Sequence, residues 1–351
     1  MACRQPHAKL ARFRGSRMRL TITDIARAAG VSTATVDRVL NDRAGVHART
    51  RRRVLTAAQG LGYLDAAPDG GGAAPAELAF IIPGGTNTFF AVLSDALAGI
   101  AQRRSAEARI HVHRMEAFHP EALAAGLREL AQQADGIALI ALDHPAVRTA
   151  IREAAAAGVR VATLVSDIAD VPRHAYVGID NRAAGRLAGH LLGRFLRRPG
   201  PVALFAGSLS YRGHEERASG FRRILAEEFP NLPVIETAEM HDDVEQCHRV
   251  AADLLRSAPD LAGIYNIGAG NRGIVRALEE AGQARQVAFI GHELTEHTRR
   301  FLLAGAMDAV IDQDPRQEAE LAADALLRAI RGGPVQVSLL RAQAIFRENM
   351  E

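Results

Sequence analysis

The chain has 351 residues, 48% of them hydrophobic and 24% charged, which is enough apolar material for the cores of two or three globular domains. No apolar run approaches the ~18 residues of a membrane-spanning helix, and two cysteines, Cys3 and Cys247, are too few for a disulfide framework and lack the spacing of metal ligands. The formal net charge is +3, and no apolar stretch of the kind found in secretory signals follows the charged N-terminus, so we expect a cytoplasmic protein.

Residues 20–41 predict a helix-turn-helix. Apolar side chains recur at helical spacing from Ile22 to Ala29, so that one face of a first helix is buried. Gly30 suits the end of that helix, because glycine tolerates the left-handed conformation found there. Ser32 suits the start of a second helix, because its hydroxyl can accept from the first free N–H groups. The second helix would bury its valines and present small, hydrogen-bonding side chains to the major groove of DNA.

A third helix is predicted from Val54 to Leu61, with four arginines crowded at its beginning. Residues 1–64 hold thirteen basic and three acidic side chains, a balance of +10, whereas the rest of the chain carries −7. A three-helix bundle used only for packing is the alternative. The charge asymmetry favours a nucleic-acid-binding module attached to a separate body.

This stretch resembles the lactose-repressor/galactose-repressor family of bacterial transcription regulators. The matching residues are Thr23-Asp24-Ile25-Ala26, Ala29-Gly30-Val31-Ser32, Thr35-Val36, Arg38-Val39-Leu40-Asn41, Val46, Thr50, Val54 and Leu61-Gly62-Tyr63. Asp37 departs from the serine common in the family, and its carboxylate would repel phosphate unless it accepts from a cytosine amino group. The resemblance and the exposed positions together imply DNA contacts from Thr23, Ser32, Thr33, Ala34, Thr35, Asp37, Arg38, Asn41, Thr50 and Arg51.

We therefore expect a helix-turn-helix domain at 19–64, preceded at 1–18 by a disordered extension or an early start site. Residues 65–76 are predicted to be a linker, since they are rich in proline, glycine and alanine. Members of the family usually have a hinge helix there. Pro68 and the three glycines that follow Asp69 oppose one, at ~3 kcal/mol for the proline and roughly 1 kcal/mol for each glycine.

Beyond residue 77 the sequence alternates short apolar runs with amphipathic helical patterns. This alternation predicts an α/β body with doubly wound parallel sheets. The expected strands are 78–83, 109–115, 136–142, 160–165, 175–179, 201–207, 263–268, 286–292 and 309–313. So many strands favour two lobes, which we place at 77–178 with 292–312 and at 179–291 with 313–345.

Polar and aromatic residues follow the predicted strands, where ligands bind in such folds. They are typical of a carbohydrate site, although strand-end loops are polar in most proteins. The expected effector contacts are Asn87, Phe89, Phe90, Asp143, Asp167, Arg217, Asn266, Glu293 and Gln313.

The body also resembles the ribose-binding type of periplasmic-binding-protein fold over residues 77–345. The resemblance rests on Asn87-Thr88-Phe89-Phe90, on Arg217 within Arg-x-x-Gly-Phe, and on a hinge at 178–181. It implies that Arg217 is the central ligand arginine and that Gln313 offers an amide. Two departures concern its acidic residues: Val165 stands where an aspartate is expected, and Gly-Phe-Asp becomes Gly-His-Glu ending at Glu293.

Two other kinds of chemistry have sequence signals. Residues 268–273 read GAGNRG between a strand and a helix, and Glu293 follows twenty residues later, which is the dinucleotide fingerprint of an NAD-dependent oxidoreductase. That motif normally lies in the first strand-helix unit of its domain, and here it follows six or seven strands. Residues 292–297 read HELTEH but match neither zinc motif.

The sequence as a whole predicts a ligand-responsive DNA-binding regulator, a repressor controlled by a small sugar or polyol, without enzymatic activity, metal or cofactor. We expect a homodimer on a pseudo-palindromic operator, with helices 90–103 and 316–331 as candidates for its contact face. A simple sugar-binding protein is the alternative from another class.

Overall fold

The computed structural model describes residues 20–64, 74–85, 87–196 and 199–350. The chain divides into two units, a head that ends at Ala74 and a body that begins at Pro75. The predicted extension at 1–18 and the linker glycines with Pro68 lie outside the described residues. The expectation that the linker lacks a hinge helix therefore stays a prediction.

The head consists of three helices, as the sequence predicts. They are α1 (Ile22–Ala29), α2 (Thr33–Leu40) and α3 (Ala48–Gly60). Thr21 and Asp24 form a reciprocal capping box at the start of α1, and Gly30 ends it with φ +61°. The Ser32 hydroxyl accepts from the Thr35 N–H at 3.2 Å at the start of α2. These local bonds explain why the turn lies where it does.

The core of the head is small and aliphatic. Ile25, Val36 and Val54 are fully buried, one from each helix. Two of the four arginines at the start of α3 belong to this packing. Arg49 is buried, and Arg53 donates to the Ala29 carbonyl oxygen at 2.6 Å, which satisfies the end of α1. The arginine cluster is thus partly structural.

The first sheet of the body has five parallel strands in the order β2-β1-β3-β4-β5. They are β1 (Ala76–Pro83), β2 (Ala108–Met115), β3 (Gly136–Leu139), β4 (Arg160–Leu164) and β5 (Ala175–Val177). The helices between them are α4 (Thr88–Arg103), α5 (Pro120–Leu130) and α6 (Pro145–Ala156). Strand β3 is apolar throughout and β1 is buried from Leu78 to Pro83, as expected for a parallel sheet covered on both faces.

The second sheet has six strands in the order β11-β10-β9-β8-β6-β7, of which only β11 is antiparallel. Its strands are β6 (Val202–Ala206), β7 (Val234–Glu239), β8 (Gly263–Asn266), β9 (Ala288–His292), β10 (Ala309–Asp312) and β11 (Gln343–Ile345). Its helices are α7 (Asn181–Phe195), α8 (Arg212–Glu228), α9 (Val244–Ser257), α10 (Asn271–Glu280) and α11 (Glu296–Ala304). The two-lobed α/β prediction is confirmed.

The predicted lobe boundaries are wrong after residue 291. Strand β10 pairs with β9, so 292–312 belongs to the second lobe rather than the first. Helix α12 (Pro315–Ile330) then returns to pack on α4 and on the first sheet, although we placed it in the second lobe. The chain crosses between the lobes near Ile179, at Gln313 and again near Leu340, where the Leu340 N–H donates to the Gly178 carbonyl at 2.9 Å.

Three elements have no counterpart in the sequence analysis. Strand β7 has the sequence VIETAE, whose apolar content is too low to stand out as a strand. It lies at the edge of its sheet, where one side of the strand is open to solvent. Strand β11 has only three residues, and α11 begins at the end of the 292–297 segment that we considered for zinc binding.

Candidate functional site

In the head, helix α2 presents the surface that the sequence predicts. Thr33, Ala34 and Arg38 are exposed, whereas Thr35 and Asp37 are half-buried. The Thr35 hydroxyl lies 2.9 Å from the Ser32 hydroxyl, so that part of its hydrogen-bonding capacity is used inside the cap. Thr23 on α1 is also exposed, and Thr50 on α3 is half-buried. The side chains most available to a DNA base are therefore Thr33 and Arg38.

Asp37 does not present a bare carboxylate. One of its oxygens accepts from the Asn41 side-chain amide at 2.8 Å, and the other accepts from Arg43 at 3.0 Å. Arg43 is largely exposed and Asp37 is half-buried, so the ion pair contributes little to stability. It does neutralise the charge that would repel a DNA phosphate, and it ties Asn41 to Asp37 at the end of α2.

Arg51 is likewise engaged, since it donates to Asp42 at 2.5 Å and to the Arg43 carbonyl at 3.2 Å. The Asp42 carboxylate is almost fully exposed. A phosphate oxygen that approaches Arg51 would compete with this exposed ion pair. The loop between α2 and α3 thus holds the guanidinium in place at low energetic cost.

In the body, the carboxyl ends of the parallel strands of both sheets meet at one cleft. The cleft encloses about 930 Å³, including its solvent-open mouth. It contains six of the nine predicted effector contacts, namely Asn87, Phe89, Phe90, Arg217, Glu293 and Gln313. The fold therefore brings together, as predicted from their places after strands, residues that are up to 226 positions apart along the chain.

Arg217 is buried at the centre of the cleft, with 3% of its surface exposed. Its Nε donates to the Asn181 amide oxygen at 2.7 Å and its Nη1 to the Ile267 carbonyl at 3.1 Å. Its Nη2 lies 3.4 Å from the Gln313 amide oxygen. These bonds fix the plane of the guanidinium, yet none of them comes from a carboxylate.

Glu293 lies beside Arg217 in a left-handed backbone conformation with φ +70°. One carboxyl oxygen accepts from the Gln313 amide at 2.5 Å, and the other has no partner among the described residues. Burial raises the pKa of Glu293 to about 8, although the nearby Arg217 acts in the opposite direction. The side chain is therefore mainly protonated at neutral pH, and its free oxygen can donate as well as accept.

The raised pKa of Glu293 predicts how stability depends on pH. Between about pH 4.5 and 8 this carboxyl is protonated in the folded chain and ionised in the unfolded chain. Its contribution to the free energy of unfolding falls as pH rises through that window, by up to about 1.4 kcal/mol per pH unit. Glu293→Gln should remove this contribution. The free energy of unfolding of the variant, measured by urea titration, should therefore rise relative to that of the wild type as pH increases.

Glu296→Gln, which replaces an exposed carboxyl on the next helix, is the matched control and should follow the pH dependence of the wild type. A buried carboxyl with a raised pKa that does not interact with Glu293, such as Asp308, affects both curves equally. Only the difference between wild type and variant therefore reports Glu293. Parallel curves for Glu293→Gln and wild type from pH 5 to 7.5 would mean that Glu293 is ionised in the folded protein.

Three predicted effector contacts are not in the cleft. Asp143 pairs with Arg148, and Asp167 accepts from Arg173 at 2.6 Å and from the Thr163 hydroxyl at 2.6 Å. Asn266 is buried and donates to Asn271 at 2.7 Å and to the Ala269 carbonyl at 3.0 Å. Asp143 and Asp167 follow strands as expected and Asn266 is the last residue of β8, but each of the three is held by neighbouring groups.

The cleft also contains polar residues that the effector prediction did not include. Asp242 follows β7, and burial raises its pKa; it accepts from the Ala269 N–H at 3.0 Å and from the Asn87 amide at 3.2 Å. The sequence offered no signal for Asp242, because β7 itself was not predicted. The remaining polar additions are Thr88, Ser166, Tyr211, His214, Asn271, Arg272, His292, Thr295, His297 and Thr298.

The two lobes contact each other directly around the cleft. The bond from Asn87 to Asp242 crosses between them, as does the bond from the Gly213 N–H to the Ser166 hydroxyl at 3.2 Å. The rings of Phe118 and Tyr211 meet edge to face with centroids 5.6 Å apart. The structure thus represents a closed arrangement of the lobes.

The glycines of GAGNRG are explained by packing. Gly270 has φ +94°, and a Cβ there would lie 2.3 Å from the Cys247 sulfur. A Cβ at Gly273 would lie 2.0 Å from the Val244 carbonyl oxygen, so this glycine allows α10 and α9 to approach closely. In the second pattern, His292 is bonded to Tyr265 at 2.8 Å. The described part of the chain contains no group of three or more residues placed to hold a metal ion.

Comparison with known proteins gives two family matches. Residues 21–65 match the bacterial regulatory proteins of the lacI family, and residues 78–334 match the periplasmic binding protein domain. Both are families of non-enzymatic proteins, which excludes the oxidoreductase interpretation of residues 268–273. Within the described ranges, no helix is long and apolar enough to cross a membrane.

The individual proteins similar to this chain include sugar-binding proteins and a transcriptional regulator. The chain is 26% identical over 161 residues to the D-ribose/D-allose-binding protein of Pseudomonas aeruginosa, covering 45% of this chain and about half (49%) of that protein. It is 25% identical over 255 residues to the HTH-type transcriptional regulator DegA of Bacillus subtilis, covering 71% and 74%. The glucose-galactose binding protein GanP of Geobacillus stearothermophilus shares the fold, with a TM-score of 0.72 at 22% identity over 79% of this chain and 99% of GanP.

Proposed function

Since the chain belongs to the periplasmic-binding-protein domain family and carries a lacI-family domain ahead of it, we propose that it is a cytoplasmic, sequence-specific repressor of carbohydrate-related genes that a small sugar or polyol controls. The observation that carries this proposal is the presence of two separate sites in one chain. One is an exposed second helix in the head, and the other is a cleft centred on Arg217 in the body.

The head supports DNA recognition through α2. Thr33 and Arg38 stand free on its outer face, and an arginine can bond a guanine through two parallel hydrogen bonds. The pairing of Asp37 with Arg43 removes the repulsion that its carboxylate would otherwise exert on the DNA backbone. Helix-turn-helix proteins read two half-sites as dimers, so we place a homodimer on a pseudo-palindromic operator.

The cleft supports a polyhydroxylated ligand. Phe89 and Phe90 provide apolar ring faces, with centroids 5.6 Å apart. Arg217, Gln313 and the free oxygen of Glu293 provide directed hydrogen bonds for hydroxyl groups. A ligand that binds one arrangement of the lobes more tightly than another would shift the body between them and so change the DNA affinity.

Binding of ligands and DNA by the full chain tests this function. Thermal unfolding with a panel of neutral and acidic sugars, and with NAD as the rival ligand, should show stabilisation by a sugar. DNA selected from a random pool should converge on a two-fold symmetric site, and the active sugar should change the affinity for that site. Stabilisation by NAD alone, or failure to select any DNA sequence, would contradict the proposal.

Two arginine variants separate base recognition from phosphate contact. Arg38→Ala should lose about 1–3 kcal/mol of binding to the selected DNA and relax specificity at one base pair. Arg51→Ala should weaken all DNA sequences alike and flatten the salt dependence, because a phosphate contact carries no base information. Gel-shift titrations at several salt concentrations measure both effects.

Arg27, exposed on α1 and weakly paired with Asp24, is the matched control, and its replacement by alanine should change neither property. Unchanged affinity of Arg38→Ala for the selected site would show that α2 is not the recognition helix.

A further inference from the structure

The mouth of the cleft carries a positive charge that no described residue neutralises. Arg272 lies in the first turn of α10 and is exposed, and among the described residues it makes no hydrogen bond or ion pair. Arg276, one turn further along the same helix, is in contrast bonded twice to Glu245, at 2.7 and 3.0 Å. The guanidinium that lines the cleft is therefore the unpaired one.

Arg272 stands at a helix start that lacks a side-chain cap. Helix α10 begins after Gly270, and no described side chain accepts from its first N–H groups. Such an N-terminus attracts negative charge through its free N–H groups and the helix dipole. A helix start alone does not define a site, so a second group in the cleft is needed.

His292 supplies that second group. It is 1% exposed, it lines the same cleft, and its backbone oxygen accepts from the side chain of Asn271, the first residue of α10, at 3.3 Å. Its Nε2 lies 2.8 Å from the Tyr265 hydroxyl, whereas its Nδ1 has no partner among the described residues. A buried polar atom without a partner indicates a missing ligand or water.

The state of the His292 ring follows from these contacts. Burial lowers its pKa well below the ordinary value, so the ring is neutral. Tyr265 is fully buried, and among the described residues His292 is the partner found for its hydroxyl. If the Nε2–H donated instead, the buried hydroxyl proton would have no acceptor, so we assign the hydroxyl as the donor to Nε2. The ring proton then resides on Nδ1, which leaves a buried N–H donor without an acceptor.

The acids of the cleft offset its two guanidiniums only in part. Burial raises the pKa of Glu293 to about 8, so that Glu293 is mainly neutral at pH 7, which leaves Asp242 as the one acid of the lining to set against two guanidiniums. Arg217 and Arg272 both keep their charge, because guanidinium groups do not lose a proton in proteins. The cleft is therefore suited to a ligand that brings negative charge.

We propose that the effector is an acidic sugar, whose carboxylate or phosphate binds Arg272 and the N-terminus of α10 while the His292 Nδ1–H donates to an oxygen of the same molecule. This inference rests on the proposed function and specifies its ligand. The anionic group would lie at the mouth of the cleft. The sugar ring would lie deeper, between Phe89, Phe90 and Arg217.

Calorimetric titration of the full chain with matched pairs tests the inference. The pairs are D-gluconate with D-glucitol, D-galacturonate with D-galactose, and D-ribose 5-phosphate with D-ribose, and inorganic phosphate is titrated alone. We expect the acidic member of at least one pair to bind ten-fold or more tightly than its neutral partner. The carboxylate and phosphate arms then tell which anion is recognised.

Two variants on α10 locate the anion. Arg272→Gln should weaken the acidic sugar about ten-fold and leave the neutral partner unchanged, whereas Arg276→Gln should change neither. His292→Phe, which keeps a ring of similar size, should weaken the acidic sugar as well. Circular dichroism of each variant verifies that the fold is kept.

The possible failures are distinguishable. If a neutral sugar binds at least as tightly as its acidic counterpart, or if Arg272→Gln leaves acidic binding unchanged, this inference is overturned while the proposed function stands. Inorganic phosphate binding as tightly as the sugar phosphate would also overturn it. If no sugar of either kind binds, the proposed function fails as well.

Discussion

Arg217→Ala is expected to abolish effector binding while the head keeps its affinity for DNA. The substitution removes the guanidinium and leaves its partners, among them the Asn181 and Gln313 amide oxygens, without donors in a buried site. Leaving buried groups unsatisfied costs ≈ 1–3 kcal/mol for each of them, which lowers the stability of the site. The same cost applies to each ligand hydroxyl that loses its bond to Arg217, and two such bonds predict a fall in effector affinity of about 100-fold.

The measurement has two parts on the same protein. Calorimetry gives the affinity for the sugar that stabilises the wild type most, and gel shifts with and without that sugar give the DNA response. Arg222, on the same helix but bonded at the surface to Glu236 at 2.6 and 2.8 Å, is the matched control. Effector affinity in Arg217→Ala within three-fold of wild type would show that Arg217 is structural only.

Gly185→Ala is expected to destabilise the second lobe and to weaken effector binding at the same time. A Cβ at Gly185 on α7 would lie 1.9 Å from the Arg217 carbonyl oxygen on α8. The obstacle is backbone, so the two helices must separate, and overpacking of this kind costs typically 1–3 kcal/mol. Because the displaced turn carries Arg217, the guanidinium should lose its position in the cleft.

Gly220 provides a second test of the same contact from the opposite helix, since a Cβ there would lie 2.2 Å from the Arg182 carbonyl oxygen. Gly99→Ala on α4 is the control, because its Cβ would meet only the end of the Arg103 side chain and should gain stability from helix propensity. Urea unfolding measures all three variants. If Gly185→Ala is as stable as wild type, the close approach of α7 and α8 does not occur in solution.

Much of the head could be predicted from sequence because its structure depends on neighbours along the chain. The φ of Gly30 and the hydroxyl cap of Ser32 involve residues within a few positions of each other. Most strands of the body could be predicted as well, because a strand covered on both faces must be apolar throughout, as β3 is. The edge strand β7 could not be predicted, because a strand that is open to solvent on one side does not need to be apolar, and its sequence VIETAE is not.

In the candidate site, too, some residues could be predicted from local sequence and others could not. Placement after a strand was sufficient to find Phe89 and Glu293, because parallel strands end at one edge of the sheet. Arg217 lies within α8, and the resemblance of its Arg-x-x-Gly-Phe segment pointed to it. Placement after a strand was not sufficient for Asp143 and Asp167. Whether a strand-end carboxylate faces the cleft depends on which cation lies beside it, and those cations are Arg148 and Arg173.

The sequence by itself determined the basic helix-turn-helix head, the alternation of strands and helices in the body, and six of the residues that line the cleft, because spacing, capping and apolar runs act over a few residues. Only the tertiary structure decided the return of α12 to the first lobe, the place of Asp242 beside Asn87, and the unpaired state of Arg272. These depend on contacts between residues far apart in the chain, and local sequence patterns carry no information about them.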